Sequence, residues 1–330
     1  MKKYHVYGIG NALVDMEFEV EDSFLEKMKV DKGLMTLVDE ARQHELIADL
    51  DIFEGKKASG GSAANTIIAV SYFGGKSFYS CKVSNDELGD FYVNDLQAAG
   101  VDSNVGDGRK DGVTGKCLVM VTPDAERTMN TFLGITETFS VDELHQDALL
   151  DSEYLYIEGY LVTSPTGRHA AIEARKMAEE AGVKTALTFS DPAMVQFFKD
   201  GLKEMIGERV NLLFCNEAEA KSWAGTDDLQ QAIESIKNIA DTFAITLGGK
   251  GALLFDGKHQ IEISPHTVKA VDSNGAGDMF AGAFLYGITQ GHSFYEAGNI
   301  ASLAAAKVVG QFGPRLNAAA HKEVLDIVMG

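Results

Sequence analysis

Val271-Asp272-Ser273-Asn274-Gly275-Ala276-Gly277-Asp278-Met279-Phe280-Ala281-Gly282 joins an apolar strand end to a helical pattern through a run of small residues. Small residues let a ligand approach the backbone closely. The start of a helix presents amides without intrahelical partners at the positive end of its dipole. The segment therefore reads as an anion site. Asp278 has no cationic neighbour in sequence, and two roles are open to it: a first-turn acid that caps its helix, or a carboxylate that accepts a proton beside the bound anion.

Outward from this segment, short apolar runs alternate with helix-length amphipathic stretches, the rhythm of a mostly parallel sheet covered by helices on both faces. Strands are predicted at Tyr4–Gly10, Phe78–Val83, Tyr154–Glu158, Thr185–Ser190, Asn211–Cys215, Phe243–Leu247 and Ala252–Asp256. Helices are predicted at Ala63–Phe73, Leu88–Ala99, Thr166–Ala181, Glu217–Trp223, Leu229–Ala240, Gly275–Gln290, Tyr295–Val309 and Ala318–Val328. Two stretches break the rhythm. Leu13–Val20 with Gly33–Val38, and Val113–Val121 with Arg127–Leu133, read as strands without intervening helices, either a small β-sheet lid or an ordinary β-extension. The expected division is discontinuous, with residues 1–12, 58–112 and 137–330 in an α/β domain and 13–57 and 113–136 in the lid.

The composition excludes several classes of function. With 29 Lys and Arg against 49 Asp and Glu, the net charge of −20 repels phosphate backbones and anionic membranes, so nucleic-acid and lipid partners are not expected. The apolar run after Lys2 and Lys3 is too short for a signal segment or a membrane span, and a cytoplasmic location is expected. Cys81, Cys117 and Cys215 lack metal or disulfide spacing and read as buried small hydrophobes. The eight histidines include no i, i+4 pair of the kind that holds zinc on a helix. The sequence leaves monomer and homodimer equally open.

Asp272-Ser273-Asn274-Gly275-Ala276-Gly277-Asp278 resembles the D-T-x-G-A-G-D signature of ribokinase/PfkB carbohydrate and nucleoside kinases, with Ser273 in place of the usual Thr. Three further segments match in order. Gly60-Gly61-Ser62-Ala63-Ala64-Asn65 resembles the di-glycine substrate motif, Asn216-Glu217-Ala218-Glu219 the N-x-x-E motif, and Thr246-Leu247-Gly248-Gly249-Lys250-Gly251 the nucleotide loop. Gly10-Asn11-Ala12-Leu13-Val14-Asp15 and Ser62 are similar to the adenosine-kinase-like branch.

The resemblance implies a ribokinase-like α/β/α fold and an ATP-dependent phosphotransferase acting on a primary alcohol, most often adenosine in that branch. It implies Asp278 as the base and the Gly275, Ala276 and Gly277 amides as an anion hole. Asn11, Asp15, Gly60, Gly61, Ser62 and Asn65 are implied to hold the substrate. Asn216, Thr246, Gly248, Gly251 and Asn299 would contact the nucleotide, with Asn216 and Glu219 near Mg²⁺ through water. Arg127, in Glu126-Arg127-Thr128-Met129, would reach the phosphates, and a K⁺ site beside Asp272 and the 310–313 loop is compatible with the family. Leu13 and Met129 read either as apolar walls for a base or as lid core.

Four other functions compete. Gly8-Ile9-Gly10 suggests a dinucleotide fold, but Leu13 stands where that fingerprint needs a third small residue. Gly74-Gly75-Lys76-Ser77 suggests a P-loop, but Val70 stands where the first glycine belongs. A sugar kinase of fructokinase, ribokinase or 2-keto-3-deoxygluconate type, or an inosine/guanosine kinase, uses the same motifs. A non-catalytic nucleoside-binding homologue would keep the fold without turnover.

Overall fold

The computed structural model describes residues 2–50, 56–106, 108–124 and 126–330. Their strands, in chain order, are β1 (Tyr4–Ile9), β2 (Leu13–Glu19), β3 (Met35–Leu37), β4 (Lys56–Gly60), β5 (Ser77–Ser80), β6 (Asp102–Ser103) and β7 (Gly115–Val121). They continue with β8 (Arg127–Phe132), β9 (Ser152–Glu158), β10 (Lys184–Thr188), β11 (Val210–Asn216), β12 (Ala240–Thr246), β13 (Ala252–Phe255) and β14 (Gln260–Ile263). The main sheet has the order β14-β13-β12-β11-β10-β9-β1-β5-β6, and a smaller sheet has the order β3-β8-β7-β2-β4. In the main sheet the β12–β13 and β13–β14 pairs are antiparallel and the others parallel, so β13 alone runs against the other strands. Two apolar layers cover its faces, one built on the helices Ser62–Tyr72, Ala276–Thr289 and Phe294–Val309, the other on Pro165–Glu180 and its neighbours.

Strand β1 lies between β5 and β9, so successive connections leave it in opposite directions across the sheet. Such a reversal opens a crevice at the carboxyl ends of the strands, where open α/β sheets take their ligands. Asn11 follows β1 and Glu158 ends β9, which places both at that crevice.

The small sheet has two faces of different character. On β2, Met16 and Phe18 turn to an apolar cluster with Leu118 and Met120 of β7 and with Phe24, Leu25, Leu46 and Leu50. Those last four belong to helices Asp22–Met28 and Glu40–Leu50, where the sequence reading expected no helix. The first has seven residues, too few to display a period. The second buries Gln43 beside Leu46 and Leu50, and a polar side chain breaks the apolar stripe; Gln43 Nε2 donates to the Lys116 carbonyl at 2.9 Å. Strand β4, Lys-Lys-Ala-Ser-Gly, carries no apolar alternation and is held by ladder pairing to β2, so residues 58–60 belong to the small sheet.

Helices Ser62–Tyr72 and Ala276–Thr289 pack closely because Gly282 has no side chain. A Cβ there would lie 2.5 Å from the Thr66 carbonyl oxygen and 2.7 Å from Ala69 Cβ. Gly282→Leu should force the pair apart at a cost of about 1–3 kcal/mol. A thermal melt should show a loss of several degrees, whereas Gly106→Ala, with no atom of the described residues within 4 Å of its added Cβ beyond its chain neighbours, should melt as wild type.

Candidate active site

A cavity of about 520 Å³ separates the two sheets. One wall is made by residues at or just past the carboxyl ends of successive main-sheet strands: Asn11, Glu158, Thr188, Asn216 and Thr246. The opposite wall is the second face of the small sheet. There Leu13 and Asp15 of β2, Cys117 and Val119 of β7, and Arg127, Met129 and Thr131 of β8 alternate with the residues that face the helices. Leu13 and Met129, left open between two readings, line the cavity and also pack on Cys117, Val119 and Val121.

Asp278 enters from the start of helix Ala276–Thr289. Its two carboxylate oxygens accept hydrogen bonds from Ser62 Oγ at 2.6 Å and Asn65 Nδ2 at 3.0 Å. Burial raises its pKa above the ordinary carboxylate value, and these two donors oppose the shift. Asn65 Oδ1 is buried and accepts no hydrogen bond from a described residue, which leaves an acceptor at the cavity wall. Of the three amides expected to form an anion hole, that of Ala276 points to the Ser273 carbonyl at 3.3 Å. Gly277 and Asp278 follow it in the first turn, where amides lack intrahelical acceptors, and Gly275 and Gly277 line the cavity.

Asp15 is buried against Gly60, where an added Cβ would lie 2.1–2.2 Å from the carboxylate atoms, so only glycine fits beneath it. Gly61 turns with φ of 98° and starts the helix that carries Ser62 and Asn65. The sequence reading missed Glu158. Its Oε1 accepts from the Asn11 amide at 3.2 Å and from Asn11 Nδ2 at 3.1 Å, and its Oε2 accepts from the Ala63 amide at 2.8 Å. A carboxylate at the end of a predicted parallel strand was the available signal. Burial pushes both Asp15 and Glu158 up to about 7; at Asp15 the Glu17 charge adds to the rise, and at Glu158 the two backbone amides oppose it.

Arg127 is buried, and its charge already has partners. Its Nη2 pairs with Asp272 and lies 3.5 Å from Glu17 Oε1, while Nε and Nη1 make no hydrogen bond to a described residue. Asp272 also accepts from the Asn274 amide at 2.9 Å and the Gly313 amide at 2.8 Å. The carboxylate considered for a K⁺ site is thus neutralised from within the chain.

Asn216 and Glu219 close on each other in a capping box. Asn216 Oδ1 accepts from the Glu219 amide at 2.8 Å, and the Asn216 amide and Nδ2 each donate to a Glu219 oxygen at 2.9 Å. Burial pushes Glu219 up to about 7 against the Asn216 backbone hydrogen bond, with the Asp191 charge adding to the rise. Asp191, absent from the sequence reading, lines the same cavity, as does Tyr160. Burial first, then Asp191, Glu158, Asp278 and Glu219, hold the Tyr160 hydroxyl in its protonated form.

A second cavity, of about 190 Å³, adjoins the first through Thr246, Gly277 and Phe280 and is lined by Gly248 and Gly251. Asn299 reaches neither cavity, contrary to expectation. Its Nδ2 donates to the Tyr295 carbonyl at 2.7 Å on its own helix, and Ser302, Ala305 and Ala306 supply the lining instead.

A family model described as pfkB family carbohydrate kinase matches residues 28–320, and the chain belongs to that family of kinases. The probable sugar kinase protein from Rhizobium etli CFN 42 is 33% identical, with a TM-score of 0.92 and coverage of 100% of this chain and 99% of that one. The adenosine kinase from Sinorhizobium meliloti is 34% identical, with a TM-score of 0.90 over 97% of this chain and 99% of its own. The adenosine kinase of Saccharomyces cerevisiae is 28% identical over 93% of this chain and 95% of its own. The ribokinase-like fold expected from the motifs is the fold observed, with its large mostly parallel sheet and smaller second sheet.

The raised carboxyls have a measurable consequence. Asp15 and Glu158 titrate near 7 when folded and near 4 when unfolded, so between these values the folded protein binds more protons. Their contribution to stability is fully present below about pH 4 and is lost as pH rises through 7. Melts of the protein without substrates should show a falling Tm from pH 5 to pH 8, and Asp15→Asn should reduce that slope; an unchanged slope would contradict the assignment.

Proposed function

We propose that the chain transfers the γ-phosphoryl group of ATP to the 5′-hydroxyl of adenosine. The observation that carries this reading is the pairing, in one cavity, of an apolar small-sheet face with unpartnered acceptors. Leu13, Val119 and Met129 offer a surface for a flat base. Asp15 has no hydrogen bond to a described residue and Asn65 Oδ1 has none, so both await hydroxyl donors such as those of a ribose. A free sugar would leave the apolar face uncovered. The adenosine kinase names of two similar proteins support the same reading.

Asp278 is the base. As the substrate oxygen bonds to the γ-phosphorus, its proton passes to the Asp278 carboxylate. The bond from that phosphorus to the β–γ bridging oxygen breaks, and ADP leaves. Burial makes the carboxylate more basic, while Ser62 and Asn65 keep it oriented. The helix-start amides at Gly277 and Asp278 would take the charge on the transferred group, where preorganised donors act most strongly. Arg127 Nε and Nη1 would add to this clamp.

The family uses ATP, and Mg²⁺ usually accompanies it. No group of three or more His, Cys, Asp or Glu among the described residues could cage a metal. Mg²⁺ keeps most of its waters and binds through phosphates, so this donor set would suit a hydrated ion, with Asn216, Glu219 and Asp191 available to hold its waters. The ion would offset phosphate charge beside the small cavity, where Thr246, Gly248 and Gly251 would hold the nucleotide.

Asp278→Asn should lower kcat by about 10²–10⁴-fold with acceptor KM near normal; kcat above half of wild type would remove the base. Asp15→Ala should raise acceptor KM about ten- to hundredfold, as expected when a charged hydrogen-bond acceptor is lost. Wild-type kcat/KM measured across adenosine, inosine, guanosine, ribose and fructose should be highest for adenosine, and a tenfold preference for a free sugar would assign the site to sugars.

A further inference from the structure

Three consecutive residues after helix Phe294–Val309 touch three separate segments around the site. The Gly313 amide donates to Asp272 Oδ2 at 2.8 Å. The Pro314 carbonyl lies so close to Gly275 that a Cβ there would sit 2.2 Å from its oxygen, and Gly275 itself has φ of 72°. Arg315 reaches β4 and helix Glu87–Ala98. Its Nη2 donates to Asp95 Oδ2 at 2.8 Å and its Nη1 to Ser59 Oγ at 3.3 Å. The same Asp95 oxygen accepts from the Ser59 amide at 3.1 Å and from the Ser59 hydroxyl. Gln311 Nε2 donates to the Arg315 carbonyl at 2.7 Å and pins the segment.

Ser59 pairs with Val14 in the β2–β4 ladder, and its neighbour Gly60 is the residue on which the Asp15 carboxylate rests. We propose that Arg315 is a positioning residue for the acceptor substrate, holding β4 and the Gly60–Gly61 turn in register beneath Asp15 while Gly313 and Pro314 hold the anion-binding helix start. This rests on the reading of Asp15 as the acceptor's hydroxyl ligand. One short segment thereby sets the distance between the group that grips the acceptor and the amides that receive the phosphate.

Arg315 also acts on Asp15 through its charge. The groups facing Asp15 are Glu17 on its own strand, Arg127 on β8, Cys117 on β7, Tyr92 on helix Glu87–Ala98, Asp278 and Arg315. Glu17 and Asp278 favour its protonated form, whereas Arg315 and Arg127 favour the carboxylate. Arg127 is paired with Asp272 and Arg315 with Asp95, so the two cations act as dipoles rather than as bare charges. Loss of the Arg315 charge therefore shifts the Asp15 titration upward.

Steady-state kinetics of Arg315→Met and Arg315→Lys, with MgATP and the best acceptor of the panel above, test this. Arg315→Met should raise acceptor KM at least tenfold at pH 7, change kcat less than threefold and leave the KM for ATP unchanged. Its acceptor kcat/KM should rise with pH over a range displaced upward from wild type, and Arg315→Lys should restore most of the lost affinity without that displacement. An acceptor KM within twofold of wild type overturns the proposal. So does a parallel loss of kcat, acceptor KM and ATP KM with an undisplaced pH profile, which marks a merely structural role. If Arg315→Met does not fold, Arg315→Lys decides: its shorter side chain keeps the charge but cannot bridge Ser59 and Asp95 together, so an acceptor KM about two- to fivefold above wild type supports the proposal and one within twofold overturns it. If the best acceptor proves to be a sugar, the adenosine reading fails, while the Arg315 pattern can still be read with that sugar.

Discussion

The site depends on the close approach of two helices. Gly282 lies against the Thr66 carbonyl, and that contact brings the starts of helices Ser62–Tyr72 and Ala276–Thr289 side by side. Only then can Ser62 and Asn65 donate to the two oxygens of Asp278. A helix start elsewhere in the molecule would have the same dipole and the same spare amides. What distinguishes this one is a carboxylate held by donors from a second helix, with both starts opening into one cavity.

That cavity gathers carboxyl groups. Asp15, Glu158, Glu219 and Asp278 all line it, and burial raises each above its ordinary pKa. A buried carboxylate is tolerated only when donors or cations answer it. Glu158 is answered by two backbone amides and Asn11, Glu219 by Asn216, Asp278 by Ser62 and Asn65. Asp15 has the least such support, and it is the group set against the apolar small-sheet face. The unevenness has a chemical sense, since a ligand rich in hydroxyl groups supplies the donors that the protein withholds.

Arg127 lines the cavity with its charge already paired inside the chain. Its place on β8, its burial and its position in the cavity wall follow from the alternation of the strand. Its pairing with Asp272 joins the small sheet to the loop that leads into helix Ala276–Thr289. Asn299 lies outside both cavities for a simpler reason. A side chain amide on a helix can bond to the carbonyl one turn back, and here it does.

The sequence by itself determined the βα rhythm, the helix start at Gly275–Asp278, the capping box at Asn216–Glu219 and the turn at Gly60–Gly61, because each depends on residues within a few positions of one another. Periodicity also placed most main-sheet strands to within a few residues. It missed helices Asp22–Met28 and Glu40–Leu50, whose apolar stripes are short or interrupted, and β4, which alternates in nothing and exists through its ladder to β2. Only the tertiary structure decided that Glu158 joins Asn11 to Ala63, that Arg127 faces Asp272, and that Arg315 ties Ser59 to Asp95. Those contacts span 95 to 256 positions of chain. Local pattern carries no information about such pairs, because the strand order that brings them together is a property of the whole sheet.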